Sequence, residues 1–254
     1  MKNRKLWRSG FKMEINRFDC ASPLDSRYIP QDKGLCAKIK EYSGLEIFQK
    51  LRRVVPEIVI PRISLLEKRL LKIAEENKDK TISKRIDGRC KGEIAVNEVF
   101  RGYELRLRNR QEGLQKLSLD FDVCEAVKND IVSDITYYSV SVLSIEANIA
   151  NDIRHGFRSD IEEYTQSHSL DPYSLNVGSS TMPHKVNPFN YENVVSLWKA
   201  YYPLVNTAIM GQIVEHQRDS TNEELPYRTF ELLCALSYVT GSLEKSLKGL
   251  VVCV

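Results

Sequence analysis

The chain has 254 residues, of which 42% are hydrophobic and 28% charged, with a formal net charge of +3. That length can bury a sizeable core, while so small a charge, interleaved in sign along the chain, argues against a nucleic-acid binder. No apolar stretch reaches the roughly 18 residues of a membrane span, and the six cysteines and four histidines show neither a Cys-x-x-Cys pair nor zinc spacing.

A cytoplasmic protein with free thiols is therefore expected. The opening MKNRKLWRSGFK is basic with no apolar core behind it, so it is not a signal peptide, and Met13 is a second candidate start. Residues 13 to 40 read as an irregular, turn-rich lead-in, and residues 1–42 as an N-terminal remnant ahead of one main domain at 43–254. From about Ser43 to Asn77 apolar residues recur at three- and four-residue steps, among them Leu51, Val54, Ile58, Ile63, Leu66, Leu70 and Ile73, which predicts a helix. Pro56 and Pro61 should kink it or mark its true start. A polar break, ENKDKTISKRIDGRCKG, leads to a second helix near Glu93 to Leu117. A third is expected from about Cys124 to Arg158, a fourth from Pro188 to about His216, and a fifth from about Pro226 to Val252. Five long helices with no convincing strand pattern predict an all-α, elongated helical bundle.

Between the third and fourth helices lies VGSSTMPHKVNPFNYENV, residues 177 to 194. Asn is a favoured helix cap and Pro a favoured first helical residue, so Asn187-Pro188 should open the fourth helix. Its unpaired N–H groups and positive dipole end would then face the loop. Lys185 adds a full charge there, and the combination makes a candidate carboxylate or phosphate pocket. Ser179 and Ser180 sit on the glycine-hinged part of the same loop.

GSSTMPHKVNP resembles the signature loop of the fumarase/aspartase superfamily, G-S-S-x-M-P-x-K-x-N-P, at every fixed position. SPLDSRY at 22 to 28, IANDIRHGFRSDIEE at 149 to 163 and EHQRD at 215 to 219 resemble segments of adenylosuccinate lyases within that superfamily. The resemblance implies a bundle like the superfamily's central domain. It also implies anti β-elimination of fumarate from a succinylated purine nucleotide, with no metal or redox cofactor. On the family's pattern Ser179 is the base, Lys185 and Asn187 hold the substrate carboxylate, and Ser180 and Met182 join the substrate-binding set. Glu192 matches the glutamate that orients the catalytic histidine, Arg27 and Tyr28 match the phosphate-holding residues, and Arg218 matches a further substrate contact.

The family's general acid is a histidine in a T-H-G-Q-P-A motif. Aligned on Gly88 of IDGRCKG, expected at the opening of the second helix, that position is Asp87 and the glutamine position is Arg89. With Glu192 close by, repulsion could keep one carboxyl protonated as proton donor. His184 and His216, the histidines nearest the motif, are rival acids, while His155 and His168 flank the lead-in to the loop and read as surface residues. Glu223 stands where a phosphate-binding serine is expected, and the family's N-terminal helical and C-terminal domains have no counterpart in the sequence. The reading is thus of a truncated, partly degenerate adenylosuccinate lyase acting on a small molecule, and of a homotetramer whose sites pool residues from several subunits. The rivals are a catalytically impaired structural bundle of the same family and a different lyase of the superfamily.

Overall fold

A computed structural model describes residues 32–167, 188–216 and 220–253. The first helix among the described residues, α1 (Lys33–Lys40), falls where an irregular lead-in was expected. It forms because Asp32 caps it, accepting a hydrogen bond from the Leu35 N–H at 2.9 Å, and because Leu35 is buried. The other oxygen of Asp32 accepts from Arg62 at 2.7 Å, and Arg62 also donates to the Ser237 carbonyl at 2.8 Å. One guanidinium therefore fastens the start of α1 to the centre of the bundle.

The expected 43–77 helix is α2 (Ile47–Val54), a π-helical turn over Val55–Val59, and α3 (Ile60–Glu76). Pro56 has no N–H to donate and its ring crowds the preceding turn. The wider π turn accommodates it without ending the helical path. Pro61 falls in the first turn of α3, where its missing N–H has no cost. Ile63, Leu66, Leu70 and Ile73 form the buried stripe of α3, as their spacing predicts.

The segment read as a polar break is a β-hairpin. β1 (Thr81–Ile86) pairs antiparallel with β2 (Arg89–Ala95) through the two-residue turn Asp87-Gly88. Both turn residues have positive φ, 50° and 74°, the conformation that makes Asp-Gly a favoured hairpin turn. The next helix, α4 (Val96–Lys116), follows β2 directly.

α5 (Glu125–Gly156) is 32 residues long, about 48 Å, and is buried on most faces over its second half. It packs on α4, on α6 (Phe189–Tyr201), on α7 (Leu204–Met210) and on α8 (Leu225–Lys248). The single fourth helix of the sequence reading is split at Pro203 into α6 and α7. Ser133 of α5 donates to the Ala208 carbonyl at 2.7 Å, and Trp198 donates to Ser144 at 2.9 Å, fixing α7 and α6 to α5. The fifth helix ends at Lys248, and Leu250–Val252 form β4, paired with β3 (Tyr164–Gln166). Two short ribbons thus accompany an otherwise helical bundle. Among the described residues, no helix is long and apolar enough to cross a membrane.

Candidate functional site

Two helix ends converge where the signature segment joins the bundle. Arg154 lies in the last turn of α5 and Glu192 in the first turn of α6, each with the charge that its helix dipole favours. Their side chains approach to 3.6 Å. At 34% and 50% exposure this pair contributes little stability by itself. Arg154 also donates to Asn151 at 3.2 Å, yet its Nε is buried with no partner among the described residues. On α6 the Tyr191 hydroxyl and the Asn193 carbonyl oxygen are likewise buried without one. Burial pushes the Tyr191 phenol well above its ordinary range. Native proteins leave few such atoms unsatisfied; among the described residues three lie at this end and two more, Ser139 Oγ and Glu146 Oε2, lie further back on α5.

The hairpin is tied to the same end. Gly156 closes α5 directly beneath the Tyr164 ring, where a Cβ would lie 2.2 Å from it. Next to Tyr164, the buried Glu163 accepts from the Ser83 N–H at 3.0 Å, and Arg85 donates to both its oxygens at 2.8 and 2.9 Å. Glu163 therefore fixes the stem of the hairpin beside the end of α5.

Of the residues predicted from sequence, Glu192 and Asp87 are described. Ser179, Ser180, Met182, Lys185, Asn187, Arg27, Tyr28 and Arg218 lie outside the described residues, as do His184 and His168. The opening of α6 comes one residue later than expected: Phe189 is its first residue, and Pro188 takes the cap position with no side-chain capping bond. The carbonyl of Pro188 accepts from the Tyr191 and Glu192 N–H groups, both at 3.1 Å.

Asp87 requires a correction. It does not open a helix but is the exposed first residue of the hairpin turn, and the helix begins later, at Val96. Within this chain the described ion pair of Glu192 is with Arg154. His155 is exposed in the last turn of α5, His216 is exposed at φ 56°, and Glu223 is exposed in the turn ahead of α8.

Arg154 lies within IANDIRHGFRSDIEE, but nothing in that segment alone marks it out for the pairing with Glu192. A second such residue is Glu146 on α5, fully buried, with Thr240 of α8 at 2.6 Å and its other oxygen unpartnered among the described residues. Burial pushes its carboxyl up to about 8, against the lowering effect of Thr240. Among the described residues no group of three or more His, Cys, Asp and Glu gathers as a metal site.

No family model matches the chain. It is 30% identical over 128 residues to the adenylosuccinate lyase of Pyrococcus abyssi, a match covering 50% of this chain and 27% of that protein. It is 27% identical over 168 residues to the adenylosuccinate lyase of Pyrococcus horikoshii, covering 64% of this chain and 36% of that one. The match thus spans only about a third of these curated relatives. Among solved structures, the 3-carboxy-cis,cis-muconate lactonizing enzyme of Pseudomonas putida superposes with a TM-score of 0.69 at 15% identity, over 82% of this chain and 52% of that one. That likeness concerns the fold alone, which is an all-α helical bundle.

Proposed function

We propose that this chain is an adenylosuccinate lyase-like C–N lyase, eliminating fumarate from adenylosuccinate, and from SAICAR, to leave AMP and AICAR. The observation that carries this reading is the segment GSSTMPHKVNP at 178 to 188, which runs into α6 of an all-α helical bundle. The similarity to curated adenylosuccinate lyases supports the choice within the superfamily. In the proposed reaction Ser179 removes the proton on the carbon beside a substrate carboxylate, and the resulting aci-carboxylate is stabilised by Lys185 and Asn187. The C–N bond then breaks, its electron pair leaves with nitrogen, and an acid protonates that nitrogen as fumarate forms. The positive end of the α6 dipole favours the developing negative charge. Ser180, Met182, Arg27, Tyr28 and Arg218 complete the substrate contacts in this reading. It further takes the protein as a cytoplasmic homotetramer.

A second reading, an impaired enzyme acting as a structural partner, is favoured by Asp87, which sits in a hairpin turn at the position where the family carries its acid. One assay separates the two. Purified protein is mixed with adenylosuccinate and the ultraviolet difference between substrate and AMP is followed, with Ser179→Ala as control. Turnover abolished by the substitution is the expected result. No turnover, or turnover indifferent to Ser179→Ala, sinks the lyase reading, and activity gained by Asp87→His would place the lesion in the acid alone.

A further inference from the structure

Beyond its stem, the β1–β2 hairpin is covered by nothing among the described residues: residues 84 to 93 are all exposed. Ile86 and Arg89 stand opposite each other, on one face, and Arg85 opposite Cys90 on the other. Arg85 is held by Glu163. Lys84, Arg89 and Lys91 have no ion pair among the described residues, and Ile86 beside them is 49% exposed. Asp87 in the turn and Glu93 at the end of the segment offset part of this charge, and the tip remains a net basic surface with an apolar side chain at its centre.

A surface with the opposite character runs along the first half of α5. Its solvent-facing line is Val127, Asp130, Asp134 and Tyr137, at steps of three, four and three residues. Val127 and Tyr137 are 42% and 47% exposed. Neither aspartate has an ion pair among the described residues. Partial burial, then the charge of Asp130, pushes the Asp134 carboxyl above its ordinary range. Each surface carries the charge that the other lacks, with apolar side chains at both.

The two cannot meet within one chain. The hairpin is anchored through Glu163 and Tyr164 beside Gly156, and from there back to Tyr137 α5 rises about 28 Å. From Arg85 to the turn the hairpin reaches only about 10 Å. We propose that the hairpin tip, through Lys84, Ile86, Arg89 and Lys91, docks on the Val127–Tyr137 line of α5 in a second copy of this chain. The contact combines charge pairing, which sets register and partner, with burial of apolar area that would otherwise face water. It rests on the self-association proposed above and names the surfaces that carry it.

The test is sedimentation of the full chain over a range of concentrations, with circular dichroism to confirm folding. The variants are K84E/R89E/K91E, D130K/D134K, and the two sets combined; all five positions are exposed, so the fold should survive. Each single set is expected to weaken self-association by about tenfold or more, and the combined chain to regain it. Wild-type association should weaken as salt rises from about 0.05 to about 0.5 M. Association with unchanged affinity in both single sets overturns this contact and leaves self-association standing. Loss in each without recovery in the combined chain also overturns it, since each surface would then meet something else. A monomer at every concentration overturns both.

Discussion

Thr136 and Thr229 meet at 2.7 Å in the seam between α5 and α8, while Arg154 and Glu192 approach only to 3.6 Å where α5 meets α6. In the seam, hydroxyl groups are fully enclosed and each also contacts the carbonyl four residues back: Thr136 that of Val132, Thr229 that of Leu225, Thr240 that of Leu236. Polar groups there tie two helices without admitting water. At the α5–α6 end the charges are half-exposed and three buried polar atoms have no partner. The seam is not free of unsatisfied atoms, since Glu146 Oε2 and Ser139 Oγ on α5 have no partner among the described residues. What separates the two regions is exposure: the seam encloses its polar groups, while the α5–α6 end holds charges that water and a ligand can reach.

The comparison is broken most severely from inside. Leu143 is fully buried on α5, so Leu143→Ala should cost about 2–5 kcal/mol through lost transfer energy and the residual cavity. Exposed Ile86→Ala in the hairpin should change stability by no more than about 0.5 kcal/mol. Chemical denaturation of both variants reads the difference, and comparable losses would mean that the hairpin is part of the core.

Glu146 sharpens the comparison through pH. Thr240 Oγ1 lies 2.6 Å from a Glu146 oxygen and 2.8 Å from the Leu236 carbonyl. Thr240 donates to Glu146, which favours the charged carboxylate, but burial of the carboxyl outweighs that single hydrogen bond. A carboxyl held up to about 8 in the fold, against 4.5 ordinarily, binds a proton in the folded state that the unfolded chain has released. Stability is therefore fully present below about 4.5 and falls as pH rises toward about 8, by roughly 1.4 kcal/mol per pH unit. Glu67, pushed up to about 7 by burial and then by Glu104, acts in the same direction. The comparison with Glu146→Gln isolates the seam: the variant should match wild type within about 1 kcal/mol at pH 5 and exceed it increasingly toward pH 8. A constant difference across that range would mean that Glu146 stays charged in the fold.

Much of this division could be read from the residues. The stripe Ile63, Leu66, Leu70, Ile73 fixes α3 and its inward face, and the apolar density of 132–153 marks α5 as central. What escaped has identifiable causes. The hairpin carries an Asp-Gly turn between short segments whose exposed side chains give almost no hydrophobic alternation, so it read as a polar break. α1 depends on Asp32 and on Arg62, a contact distant in sequence. The π turn is a tertiary accommodation of Pro56 that periodicity does not register. For the site, the motif at 178 to 188 is explicit in the sequence. The Arg154–Glu192 pairing is not, because only the packing of α5 on α6 brings the two together.

That pair gives the smallest and most discriminating effect. Glu192 is half-exposed and its partner stands at 3.6 Å, so Glu192→Gln should shift stability by no more than about 0.5 kcal/mol. On the lyase reading Glu192 is a positioning residue, acting through the group that protonates the leaving nitrogen. In chain that turns over adenylosuccinate, kcat should then fall by about tenfold with KM nearly unchanged, and the pH profile of kcat should move. A surface ion pair alone would move none of these. If kcat, KM and pH profile all survive Glu192→Gln, the convergence of α5 and α6 serves packing, and the unpartnered atoms of Arg154, Tyr191 and Asn193 answer to something other than this chemistry.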